Sequence, residues 1–159
     1  MKFTDLPPLN ELIPHRGDSL FIDRVVEHHE SATTCAINLD GQHWLKRPDG
    51  RVPGWLAVEY MAQCMTVHES IRSRVLGHPW ESGMLVAVSN LKLYVPYFEP
   101  GLALRARSIP LRGGVELRVF SHSGVIFTEE KRPLAEARLT IALANASPDP
   151  GSDDDEPIV

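Results

Sequence analysis

Between Gly54 and Val67 the chain carries a single charged residue, Glu59, set among Trp55, Val58, Tyr60 and Met61. A lone carboxyl in such surroundings has its ionised form disfavoured by poor solvation. That suits a group that must both give and take protons near neutral pH. Gln63, Thr66 and Ser70 follow Glu59 at spacings of four, three and four, so a helix places all four on one face. Thr66 and Ser70 read as the solvent-exposed edge of that face, and Glu59 as its working end. Just ahead of it, Val52-Pro53-Gly54-Trp55 has the form of a helix entry. The unpaired N–H groups of a first turn, with the positive end of the helix dipole, polarise a carbonyl oxygen. Gly54 would let a ligand approach the backbone closely. A carbonyl held there lies just over one turn from Glu59.

Other polar residues point to less. His28, His29, His68, His78 and His122 have no metal-ligand spacing, and HExxH is absent. No Gly-x-Ser-x-Gly elbow or GxGxxG loop occurs, which argues against a hydrolase triad and dinucleotide binding. No metal and no cofactor are expected. Arg16-Gly17-Asp18 reads as a turn.

The elements that must position Glu59 follow from pattern. Pro53 is suited to a first helical turn, where its missing N–H costs nothing. From Trp55 to about Val75 there is no Gly or Pro, and Gly77-His78-Pro79 ends the run. A helix apolar on nearly every side is buried, so something must wrap around it. Leu9 to Ile13 makes one helical turn stopped by Pro14. Leu20 to Val26 and Thr33 to Leu39 read as an antiparallel strand pair. A polar loop, Asp40 to Arg51, holds the turn Pro48-Asp49-Gly50. Met84 to Tyr94, Leu102 to Ile109, Val115 to Phe120, Val125 to Thr128 and Ala135 to Leu143 read as further strands, with turns at Gly113-Gly114 and Ser121 to Gly124. Tight turns between short strands imply an antiparallel sheet. A long buried helix wrapped by a curved antiparallel sheet is the α+β hot-dog fold, expected over residues 1–144.

Size and charge bound the rest. At 159 residues the chain builds one core without disulfides. Its net charge of -5 comes from Asp149, Asp153, Asp154, Asp155 and Glu156; without them acidic and basic residues balance at 16 each. The body is neutral, so no nucleic-acid partner is expected. Cys35 and Cys64 read as free buried thiols of a reducing compartment. The N-terminus lacks the apolar core of a signal peptide, and no apolar run reaches the ~18 residues of a membrane span. A cytoplasmic protein is expected. Residues 145–159, rich in Pro, Asp, Ser and Gly, read as a disordered acidic tail.

Three segments carry a resemblance. Leu12-Ile13-Pro14-His15-Arg16 with Leu20-Phe21-Ile22-Asp23-Arg24-Val25 is similar to the opening of FabZ-type 3-hydroxyacyl-[acyl carrier protein] dehydratases. Val52 to Gln63 is similar to their helix start, and Tyr94-Val95-Pro96-Tyr97-Phe98-Glu99-Pro100-Gly101 to the break before their second half. Pro-Gly-Trp before the Glu resembles most closely the divergent dehydratases of aryl-polyene and xanthomonadin-type pigment clusters. The resemblance covers residues 9 to 143. It implies water elimination from a 3-hydroxyacyl chain on acyl carrier protein, giving the trans-2-enoyl thioester. It also implies dimers with each site at the subunit interface, the histidine and the acid coming from different chains.

One departure is informative. The family's catalytic histidine, in Gly-His-Phe-Pro-Gly, is missing from Leu45-Lys46-Arg47-Pro48-Asp49-Gly50-Arg51. His15 is the first candidate to replace it, since the family's Pro-His-Arg segment lines the mouth of the acyl tunnel. His43, sixteen residues before Glu59, is the second. Glu59 and His15 are thus the candidate catalytic pair, with Gly54, Trp55 and Gln63 as candidate substrate-binding residues. Missing the histidine also fits a non-catalytic subunit of a heteromeric dehydratase, and a hot-dog thioesterase would use Glu59 to activate water. Homodimer and heteromer with a related dehydratase both remain open. Lys46, Arg47 and Arg51 are expected to receive the acidic carrier protein. Deleting residues 147–159 is expected to leave the melting temperature and activity unchanged, because the segment offers too little apolar surface to offset its ordering entropy. A melting temperature lowered by several degrees in calorimetry would refute this.

Overall fold

The computed structural model describes residues 6–39, 45–78, 83–114 and 116–143. Its centre is helix α2, Ala57–Val75, entered through a 3₁₀ turn at Gly54–Leu56. Pro53 does not sit inside that turn, as the missing-N–H argument suggested. Its ψ of 132° keeps it extended, and with Val52 it forms a two-residue strand, β3, paired antiparallel to Tyr97–Phe98. The helix is buried on most sides, with Ala57, Tyr60, Met61, Cys64, Met65, Val67 and Ile71 at 1% exposure or less. A preceding turn of helix, α1 (Leu9–Leu12), ends at Ile13 just before Pro14.

Around α2 wraps a six-stranded antiparallel sheet. Its strands are β1 (Ile22–His29), β2 (Ala32–Ile37), β4 (Gly83–Leu93), β6 (Leu104–Gly114), β7 (Val119–Thr128) and β8 (Pro133–Leu143). Tyr97–Phe98 is β5. The order across the sheet is β1-β2-β6-β7-β8-β4, the expected hot-dog arrangement.

Two expected turns are strand instead. Gly113 and Gly114 continue β6, opposite Phe120 and Val119, and Ser121 to Gly124 lie inside β7. The Ser/Gly composition of this stretch reflects packing rather than turning. Ser121 bonds Thr140 on the next strand at 2.9 Å. Gly124 lies where the helix comes closest: a Cβ there would meet the Met61 Sδ at 2.6 Å and its Cβ at 2.9 Å. Only a residue without a side chain lets α2 settle onto β7.

Aromatic packing fixes the front half of α2. The Tyr60 ring meets Phe21 edge-on at 6.1 Å between centroids and Phe98 at 5.9 Å. Each such pair adds about 0.5–1.5 kcal/mol beyond its area burial. Cys35 and Cys64 are free and buried, as expected. Strand β4 lies at one end of the sheet order and pairs only with β8. All eleven of its residues are exposed, including Met84, Leu85, Val86, Val88, Leu91 and Leu93. No described helix is long and apolar enough to cross a membrane.

Candidate active site

The first turn of α2 places Glu59 beside a short stretch of chain between α1 and β1. Gln63, one turn on, ties the two together. Its Nε2 donates to the Ser19 carbonyl at 2.7 Å and to the Glu59 carboxylate at 3.1 Å. Its Oε1 accepts the Phe21 N–H at 2.9 Å. The side chain is fully buried, so both its amide hydrogens and its oxygen are spent on the protein. Expected to contact substrate, Gln63 is instead geometrically a bracket between helix and entry segment.

His15 sits on that segment, its Nε2 3.6 Å from the Glu59 Oε1. The side chains are 30% and 37% exposed, so an acid and an imidazole meet at an opening to solvent. The separation is beyond a hydrogen bond, a spacing common in unliganded acid–base pairs that tighten around substrate. Arg16 holds the backbone beneath His15. Its guanidinium donates to the Ile13 carbonyl at 2.6 Å and the His15 carbonyl at 2.7 Å, and also to Asn10. Gly17–Ser19 is a 3₁₀ turn, with Ser19 Oγ donating to the Arg16 carbonyl at 2.7 Å. The Arg-Gly-Asp tripeptide is a turn, as read.

Several sequence expectations change. The shielding assigned to Glu59 is not supplied by its own chain, because Trp55 is 57% exposed and Glu59 itself opens to solvent. Nor is the Gly54 surface open to a ligand. A Cβ there would lie 2.6 Å from the Val95 carbonyl oxygen, and the Gly54 N–H already donates to the Pro96 carbonyl at 2.9 Å. Its glycine is required by the close approach of its own chain. His15 and Glu59 of the same chain approach each other. His43 lies outside the described residues. In the loop ahead of the helix, the Arg47 and Arg51 guanidiniums lie 5.0 and 4.7 Å from the Tyr97 ring centre. Arg51 also grips Asp49 at 2.6 and 2.9 Å, and these bonds hold the Asp49 carboxyl down at about 2.

Sequence reasoning missed a second polar cluster, at the other half of α2. Ser70, expected at a solvent edge, is fully buried, as are His68 and Glu69 within a few per cent. The Glu69 carboxylate meets His122 Nε2 at 2.9 Å, and His122 Nδ1 meets Ser108 Oγ at 2.8 Å. This order of serine, histidine and acid is that of a nucleophilic relay, but none of the three exceeds 3% exposure. No substrate reaches it, and it is structural. The signal was parity: His122 shares the inward face of β7 with Phe120 and Gly124, which is visible only if β7 is one strand.

A long buried helix wrapped by an antiparallel sheet is the hot-dog fold, and here a carboxylate and a histidine stand at the helix entry. A family model described as ApeP dehydratase matches residues 7–149. The chain belongs to this ApeP-like dehydratase family, and it is a hydro-lyase of the aryl-polyene type acting on 3-hydroxyacyl chains. Among solved structures, a chain of the dehydratase heterocomplex ApeI:P from Xenorhabdus doucetiae is similar over 88% of this chain and 93% of that one, with TM-score 0.80 and 24% identity. The thioesterase HI1161 from Haemophilus influenzae aligns with TM-score 0.53 and 18% identity, over 76% of this chain and 77% of that one. A mutant of the Staphylococcus aureus thioesterase SAV0944 aligns with TM-score 0.58 and 10% identity, over 76% and 91%. These likenesses concern the fold. No curated protein matches the sequence.

Gln63→Leu is expected to destabilise the fold by about 1–3 kcal/mol, because it strands the Ser19 carbonyl and the Phe21 N–H. Urea unfolding measures this. Turnover should fall further than in Ile71→Val, a core change that leaves Glu59 bracketed; equal turnover in the two variants would deny Gln63 its positioning role.

Proposed function

We propose that Glu59 and His15 form the acid–base pair that eliminates water from a 3-hydroxyacyl thioester presented on acyl carrier protein. The observation that carries this reading is the 3.6 Å approach of His15 Nε2 to Glu59 Oε1 at the entry of α2. One member of the pair removes the proton at C2, and the other protonates the hydroxyl leaving C3. The electrons of the broken C2–H bond become the new double bond, and the products are water and the trans-2-enoyl thioester. Since Gly54 spends its N–H on Pro96, a later N–H of the helix start would have to polarise the thioester carbonyl. The exposed Trp55 ring stands beside that position as a wall for the acyl chain.

The exposed apolar strand β4 supports a subunit partner. A sheet edge of this length and hydrophobicity invites pairing with another strand. The heterocomplex named for the similar Xenorhabdus structure favours a related dehydratase as that partner. A second reading follows from the openness of Glu59 and Trp55. A partner that keeps the Gly-His-Phe-Pro-Gly histidine would bring it to Glu59, as in the resemblance to FabZ-type enzymes, and His15 would then only support it.

Glu59→Gln, nearly isosteric, is expected to lower turnover by about 10²-fold or more, as for loss of a catalytic acid or base, without changing the melting temperature. The assay uses 3-hydroxyacyl carrier protein, with this chain alone and with a related dehydratase, read by mass spectrometry. Unchanged turnover in both arms removes the carboxylate from the reaction. Loss in His15→Asn when the chain acts alone assigns the histidine to this chain, and loss of activity only on removing the partner assigns it to the partner. Free acid in place of enoyl product would mark a thioesterase.

Carrier docking has its own test. Reversing Lys46, Arg47 and Arg51 to Glu should weaken carrier binding, more at low salt than at high salt. Pantetheine-linked substrates should be turned over almost normally. Equal loss on both substrate types would mean that the loop shapes the site rather than receiving the carrier.

A further inference from the structure

Away from the Glu59 site, three histidines from three elements meet beneath the second half of α2. His28 of β1 contacts the Thr33 hydroxyl of β2 through Nδ1 at 2.7 Å, and the same hydroxyl contacts His68 Nδ1 of α2 at 2.8 Å. The rings of His68 and His122 meet edge-on at 5.3 Å, and those of His28 and His68 lie at 5.4 Å. His122, on β7, continues the chain to Glu69 of α2 and to Ser108 of β6. Arg72 of α2 reaches Glu69 at 3.5 Å and caps the Phe120 ring at 5.6 Å. A polar network thus bonds the helix directly to β2 and β7 and, through them, to β1 and β6.

We propose that this histidine cluster is an acid-sensitive latch, which clamps the second half of α2 to the sheet at neutral pH and releases it on protonation of His68.

The proton inventory supports it. Thr33 has one hydroxyl hydrogen, so it can donate to only one of the two Nδ1 atoms, and at least one imidazole must be the donor. With both rings neutral this is satisfied. A further proton on His68 would sit on a side chain only 1% exposed, whose Nε2 has no hydrogen-bond partner among the described residues. The groups facing it are His28, with His29 beyond, from β1; His122 from β7; and Glu69 and Arg72 on its own helix. Of these only Glu69 would welcome the charge, and it is already held by His122 and Arg72. Burial, with His122 next, lowers the pKa of His68 from 6.5 to about 4, and burial with His29 lowers that of His28.

The direction of the pH effect follows. A histidine held neutral in the fold contributes stability that is fully present above its unfolded pKa near 6.5, and that is lost as pH falls toward 4. His28, partly exposed, offers the route by which the first proton arrives. Nothing in this depends on the assignment of Glu59 and His15.

The test is thermal unfolding of the full chain at pH 7.5 and pH 5.0, with His68→Asn alongside. Asparagine keeps a polar group near the Nδ1 position facing Thr33 but does not titrate. The native chain should lose about 5 °C or more between the two pH values, from the His68 linkage alone, and the variant less than half as much. A variant with the same loss as the native chain would overturn the latch. If His68→Asn does not fold at pH 7.5, hydrogen exchange of the native chain decides the question. Corrected for intrinsic rates, acid should speed exchange first in residues 66–75 and 28–34. Uniform acceleration across the sheet would show global acid unfolding and no latch.

Discussion

A polar side chain on a helix enclosed by its own sheet is costly unless a partner meets it, and this constraint organises the molecule. Unpaired polar groups buried against an apolar wall cost roughly 1–3 kcal/mol each, a large share of the stability of a domain this size. The chain meets the constraint differently at the two ends of α2. At the entry, Gln63 is buried and fully bonded, which leaves Glu59 bracketed yet open to solvent. At the far half, His68 and Glu69 go inward, and the sheet supplies Thr33 and His122 to receive them, with Ser108 behind His122. One end of the helix is thereby left chemically available and the other closed.

How much of this was legible in the sequence varied with the physics behind each signal. The buried helix was legible because its apolar residues cover every face, which only a wrapping sheet explains. Glu59 and His15, the proposed pair, stood out because charge is scarce around the one and the segment around the other resembles a known pattern. Gln63 was placed on the right face but given the wrong kind of partner. A helical period says which side a residue takes, not whether a backbone carbonyl from forty residues away will be there to meet it.

The misreadings share a cause. Ser121 to Gly124 and Gly113-Gly114 have turn composition, and turn composition normally reflects a backbone that needs freedom. Here it reflects crowding, with the Met61 side chain occupying the space above Gly124. The same applies to Gly54, which gives room to the Val95 carbonyl and not to a ligand. Splitting β7 in two also hid the parity that turns His122 inward, and with it the second cluster. Tertiary contact overrode local preference at Gly124 and Gly54, where the helix or its entry comes closest to another segment.

The two ends of α2 are mechanically one body, and that sets a limit on how the entry can work. The proposed acid–base pair, 3.6 Å apart, has to close by a fraction of an ångström around substrate, and a rigid helix gives Glu59 little freedom to make that movement. His15 has more, because it is borne on a turn held by Arg16 through backbone carbonyls rather than by the core. Gln63 bonds to the same turn at Ser19 and Phe21, so motion of the histidine segment is felt at the carboxylate directly. The adjustable partner is therefore the histidine, and the fixed reference is the glutamate. A helix buried along most of its length and fastened by polar contacts at its far half keeps that reference still.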